Sequence, residues 1–80
     1  MVNRRERRKN ALTNTIKLKE IVQESGLKKS FIAQKLGLSL QGYLNKENGL
    51  HDFTSSQILI LKELLHLTQK EVADIFLSKS

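Results

Sequence analysis

The chain of 80 residues contains no cysteine, no proline and no tryptophan, and only four glycines. Without cysteine there is neither a disulfide nor a thiolate metal site. The two histidines, His51 and His66, stand far apart and read as surface or half-buried imidazoles rather than as a ligand pair. With no proline and few glycines, little interrupts a helix, and strand-like alternation is weak. The fold class that follows is all-α, in a single domain. No apolar run approaches the roughly 20 residues of a membrane-spanning helix, and the first residues lack the apolar core of a signal peptide. The expected location is therefore cytoplasmic, nucleoid-associated, in a bacterial cell or an infected host, with no membrane partner. Also missing are a nucleophile–base pair, a carboxylate pair, a phosphate-cradling glycine-rich loop and a metal cluster. No enzyme activity, cofactor or metal is expected. Ser30, Ser39, Thr54 and Ser55 are better explained as caps and turn residues.

What the chain does have is basic charge, unevenly placed. The formal net charge is +6. Residues 1–35 carry ten Lys/Arg against three Asp/Glu, net +7, whereas residues 36–80 carry four against five, net −1. A basic half of this kind seeks a polyanion, with nucleic acid and anionic membrane as the two candidates. No strongly apolar face accompanies the basic residues, which disfavours the membrane. Five of the six positions 4–9 are basic. Residues 1–12 thus read as an arm whose Arg4, Arg5, Arg7 and Arg8 contact phosphate or, equally, as a solvated tail. Residues 13–80 form the domain.

Along that domain, a cap at Thr13, Asn14 or Thr15 opens a first helix over residues 14–24, with Ile16 and Ile21, joined by Leu12 and Leu18, as its apolar side. Gly26 sits where a helix ends in a left-handed residue. A second helix covers residues 28–36 with Ile32, Ala33 and Leu36 inward. The small Ala33 permits a close crossing of two helices. Gly37 breaks the chain, Leu38 plugs the gap, and Ser39 caps a third helix over residues 40–46. Tyr43 points inward. Gly42 costs this helix about 1 kcal/mol against alanine, which calls for a close approach to the second helix or to DNA. Phe53 anchors the following loop. A fourth helix over residues 56–65, capped by Thr54, Ser55 or Ser56, turns Ile58, Leu61 and Leu65 inward. A fifth over residues 69–77 opens with a capping box, Thr68 with Glu71. Its apolar stripe is Val72, Ile75 and Phe76.

Two short helices about a tight break, within residues 27–49, have the layout of a helix-turn-helix. The run L-x-x-x-x-I-A-x-x-L-G-L-S-x-x-x-Y-x-x-x-E-N-G is formed by Leu27, Ile32, Ala33, Leu36, Gly37, Leu38, Ser39, Tyr43, Glu47, Asn48 and Gly49. It resembles the Cro/C1-type (XRE-like) helix-turn-helix family, and FTSSQILILKELLHLTQKEVADIFL resembles the last two helices of small phage regulators in it. The resemblance covers residues 13–77. It implies a five-helix lambda-repressor-like DNA-binding domain with a central helix-turn-helix, bound as a homodimer to a partly palindromic operator. Carried over by position, it implies a base or phosphate contact from Lys29 and base contacts from Leu40, Gln41 and Asn45, and places Asn48 near the DNA backbone. Side-chain chemistry agrees for the amides. Gln41 and Asn45 lie four apart on one helix face and can pair with adenine N6 and N7, while Leu40 offers apolar contact to a thymine methyl. Lys28, Lys29, Lys35 and Lys46 can neutralise phosphates and fix the register. The recognition helix has no arginine, so A·T pairs are the expected target. Lys46 must carry its ammonium out of the core. Phe31 belongs either against the fifth helix or on a protein-binding surface.

Three functions compete. The first is sequence-specific binding of double-stranded DNA by a small phage or prophage repressor or Cro-like regulator. The second is a protein-interaction module on the same fold, such as an antirepressor, using Leu59, Ile60, Phe76 and Leu77 of the last two helices, with an exposed Leu40/Leu44 pair also favouring it. The third is non-specific nucleic-acid binding through the arm alone.

Overall fold

A computed structural model of the chain describes residues 13–77. The arginines of the arm, Arg4, Arg5, Arg7 and Arg8, lie outside the described residues, as does Leu12. The described residues form five helices and no strand: α1 (Thr15–Ser25), α2 (Lys29–Lys35), α3 (Leu40–Glu47), α4 (Ser55–Leu64) and α5 (Gln69–Phe76). The expected helices are all present, with no end displaced by more than one residue. α3 packs on α2 and α1, and α5 packs on α1 and α4.

Each start has a chemical reason. The Asn14 side chain accepts from the Lys17 N–H at 3.2 Å, and the Ser39 hydroxyl accepts from Gly42 N–H at 3.0 Å. Thr54 and Thr68 each take part in a full capping box, with Gln57 and Glu71 reaching back to the cap N–H. α2 is the exception, since its N-cap residue Lys28 makes no side-chain capping bond. Helix ends are closed by left-handed residues: Gly26 after α1, Gly37 after α2, Gly49 after α3 and, without glycine, His66 (φ 55°) after α4.

The core is Leu18 and Val22 from α1, Ile32, Ala33 and Leu36 around α2, Tyr43 from α3, Phe53, Leu61 from α4, and Leu65, Leu67, Ile75 and Phe76. An aromatic chain runs through it. The Tyr43 and Phe53 rings are 6.1 Å apart, and Phe53 meets Phe76 edge-on at 5.6 Å.

Three expectations are corrected. Ile16 is not a core residue and is 71% exposed. Leu18 and Val22 define the inward stripe, and a residue two places from Leu18 falls on the opposite side of a 3.6-residue helix. Phe76 is not available to a partner, because its ring is spent against Phe53 and it is buried. Leu44 is half-buried against the core rather than exposed beside Leu40.

Candidate nucleic-acid interface

α2 and α3 are joined by a four-residue connection, Leu36 to Ser39. Gly37 takes φ 74°, which lets the Leu38 N–H return to the Ala33 carbonyl at 2.9 Å and the Gly37 N–H to that of Gln34 at 3.0 Å. Ala33 is buried where the two helices meet. Leu38 is half-buried over the same junction. The reason for Gly42 is local. A Cβ there would stand 3.2 Å from the Ser39 hydroxyl oxygen and 3.8 Å from the Leu38 Cβ. The close neighbours are thus the cap and the plug of the turn, not the second helix.

The side chains predicted to meet DNA fall into three groups. Leu40 is 46% exposed, Gln41 is exposed and Asn45 half-buried. Gln41 Nε2 donates to Asn45 Oδ1 at 3.0 Å, so the two amides form one unit on one face of α3. That bond uses one amide hydrogen of Gln41 and the carbonyl of Asn45. The chemistry it leaves is the Gln41 carbonyl acceptor and the Asn45 amide hydrogens, the acceptor-plus-donor set that an adenine edge requires.

Lys28 and Lys35 make the second group. They are seven residues apart, about two helical turns, and both are exposed. Between them Phe31, 38% exposed, lies under the Lys35 ammonium at 5.3 Å from the ring centroid. Asn48 is also exposed, at the C-cap of α3.

The third group is already bonded to other parts of the protein. The Lys46 ammonium donates to the Asp52 carbonyl at 2.9 Å and to Gln57 Oε1 at 3.2 Å. Two of its three hydrogens thereby tie α3 to the start of α4, a role that spacing alone did not suggest. Lys29 donates to Glu47 Oε1 at 2.9 Å. Glu47 is 1% exposed, and its other oxygen accepts from the Tyr43 hydroxyl at 3.0 Å. Burial first, and then the charge and hydrogen bond of Glu47, push the Tyr43 phenol far above its ordinary range, so it remains a donor at any working pH.

Glu47 is the residue that sequence reasoning passed over. The signal was there, because Glu47 follows the inward Tyr43 by four and must share its face. A carboxylate on a buried face needs a cation from a neighbouring helix, and α2 supplies it 18 residues away.

Among the described residues there is no group of His, Asp and Glu arranged to hold a metal ion, and no helix long and apolar enough to cross a membrane. Comparison of the chain with protein-family models, with curated proteins and with solved structures finds no match.

Proposed function

We propose that this protein binds double-stranded DNA sequence-specifically as a small transcriptional regulator, a repressor or Cro-like protein of phage or prophage type. It acts by occupying an operator as a homodimer and blocking polymerase sterically, without catalysis or cofactor, in the cytoplasm. The observation that carries this reading is the Gln41–Asn45 amide unit on the outer face of α3, with Leu40 beside it and the exposed Lys28 and Lys35 on α2. Leu40 offers a thymine methyl an apolar surface, the amides pair with adenine, and the lysines hold the register on the phosphates.

The test is selection from a random duplex pool at about physiological salt, where non-specific binding is suppressed. A two-fold symmetric A·T-containing motif is expected, and its half-site spacing gives the dimer geometry. Gln41→Ala with Asn45→Ala should weaken binding to that motif by about 1–3 kcal/mol per lost base pairing while leaving the salt slope nearly unchanged. A fall in salt slope with no loss of sequence preference would instead mean non-specific binding through the arm.

One observation favours a second reading, a protein-interaction module such as an antirepressor. Leu59 is 63% exposed, Ile60 38% and Leu77 61%, an apolar surface on α4 and at the end of α5. No enrichment from the pool by folded protein would select this reading.

A further inference from the structure

Lys29 and Glu47 form the sole ion pair between helices found among the described residues, and the two ends of that pair differ sharply. The carboxylate is 1% exposed, whereas the lysine side chain is 43% exposed. The carboxylate also accepts from Tyr43, itself fully buried. Glu47 is therefore fixed on both oxygens, while Lys29 is fixed only at its tip. An ammonium has three hydrogens. One is directed at Glu47, and the partial exposure of the side chain leaves the others open to a second acceptor.

The anchor also decides which acceptor. Glu47 is on the inner face of α3 with Tyr43, opposite the outer face that carries Gln41 and Asn45. Along the helix axis it stands six residues, about 9 Å, beyond Gln41. An ammonium bonded to this inner-face carboxylate is set apart from the outer face of the amides, and its chemistry as a compact point charge suits a phosphate.

We propose that Glu47 is a positioning residue, which holds the Lys29 ammonium for a contact with the DNA phosphate backbone and not with a base. The inference rests on the DNA-binding reading and deepens it: of the two contacts expected of Lys29 it selects the phosphate, and it adds Glu47 as the residue that fixes it.

The sign of one effect separates positioning from simple charge. Glu47→Gln keeps the shape and the Tyr43 hydrogen bond but removes a negative charge, raising the formal net charge from +6 by one. Charge alone would tighten binding to DNA. Loss of positioning weakens it. The experiment measures affinity against salt for the unmutated protein, Glu47→Gln, Lys29→Arg and the double variant Lys29→Met/Glu47→Gln. The probes are a short mixed-sequence duplex and the duplex enriched by selection. The double variant leaves no unpaired buried charge, so its folding, checked by circular dichroism, is not compromised by a bare carboxylate.

The expected results are a roughly 5–10-fold weaker affinity for Glu47→Gln, the size of one charge-assisted hydrogen bond of about 1–1.4 kcal/mol, and retention of binding by Lys29→Arg. The double variant should show a salt slope smaller by about 0.9 than that of Glu47→Gln, with equal loss on both duplexes. Tighter or unchanged binding by Glu47→Gln overturns the positioning role. An unchanged slope in the double variant overturns the phosphate contact, and a loss confined to the enriched duplex restores base reading. If the unmutated protein binds neither duplex, the DNA-binding reading itself falls and takes this inference with it.

Discussion

The connection between α2 and α3 and the connection between α4 and α5 are built on the same backbone plan. Each has a leucine cap, a left-handed residue, a leucine plug and a hydroxyl N-cap: Leu36, Gly37, Leu38 and Ser39 in the first, Leu65, His66, Leu67 and Thr68 in the second. In each the plug N–H returns to a carbonyl five residues back at 2.9 Å. The surfaces built on this common frame differ. Around the first connection the exposed side chains include Lys28, Lys29, Phe31, Lys35, Leu40 and Gln41. Around the second they are Leu59, Ile60, Glu63 and an acid–base pair, Lys70 with Asp74 at 3.1 Å. Turn geometry therefore does not distinguish a nucleic-acid surface from another kind. What sets the proposed nucleic-acid surface apart is the exposed lysines of α2 and the amide pair on α3.

The comparison is sharpest at two alanines. Ala33 follows Ile32 and Ala73 follows Val72, so the local patterns look alike. Yet Ala33 is 1% exposed, and Ala73 is exposed. Ala33→Leu should overpack the α2–α3 crossing and cost about 1–3 kcal/mol, measured by denaturant unfolding. Ala73→Leu should stay within about 0.5 kcal/mol. Equal costs would break the asymmetry between the two pairs.

Next in size is a pH effect confined to α3. Tyr43 is the single tyrosine, and its folded-state ionisation is raised above the usual 10.0. Its proton is kept by the folded chain and lost by the unfolded one as pH rises past 10. The stabilising contribution is thus complete below pH 10 and decays above it, by about 1.4 kcal/mol per pH unit while only the unfolded phenol ionises. Tyr43→Phe should remove this part of the slope. Phenolate absorbance should appear only as the native protein unfolds, and a phenol titrating near pH 10 in folded protein would contradict the buried Tyr43–Glu47 bond.

The two hydroxyl caps should be alike in stability and unlike in function. Ser39→Ala and Thr68→Ala should each cost about 1 kcal/mol in thermal unfolding. Only Ser39→Ala, at the start of α3, should also weaken DNA binding. The smallest effect concerns the left-handed residues. His66→Gly should stabilise by about 0.5–1 kcal/mol, because glycine holds positive φ without a Cβ penalty, whereas Gly37→Ala should destabilise by about 1 kcal/mol. A destabilising His66→Gly would show that the imidazole makes contacts worth more than that relief.

Much of the fold was legible in sequence for local reasons. Ser39 and Thr68 as caps, and Gly26 and Gly37 as helix ends, act within a few residues, so their chemistry can be read along the chain; Asn14 and Thr54 were each one of three adjacent candidates, which the structure resolves. The inward placement of Ile32, Ala33, Tyr43, Leu61 and Ile75 follows from helical spacing. Ile16 and Phe76 were less legible. Which of two possible stripes of α1 faces the core, and whether an aromatic on α5 finds Phe53, depend on how the helices are set against each other. Of the proposed interface residues, Leu40, Gln41, Lys28 and Lys35 occupy the exposed positions their spacing predicts. For Lys29 and Lys46, sequence supplied the charge but not its partner.

The sequence by itself determined an all-α chain of five helices, the turn at Gly37, the capped starts and a basic first half. These are matters of composition, spacing and local hydrogen bonding. Only the tertiary structure decided what the lysines hold. Lys46 is bound to the Asp52 carbonyl and Gln57, Lys29 to Glu47, and Lys28 and Lys35 face solvent. A charge is visible in any sequence, but the burial of its partner arises only when two helices meet.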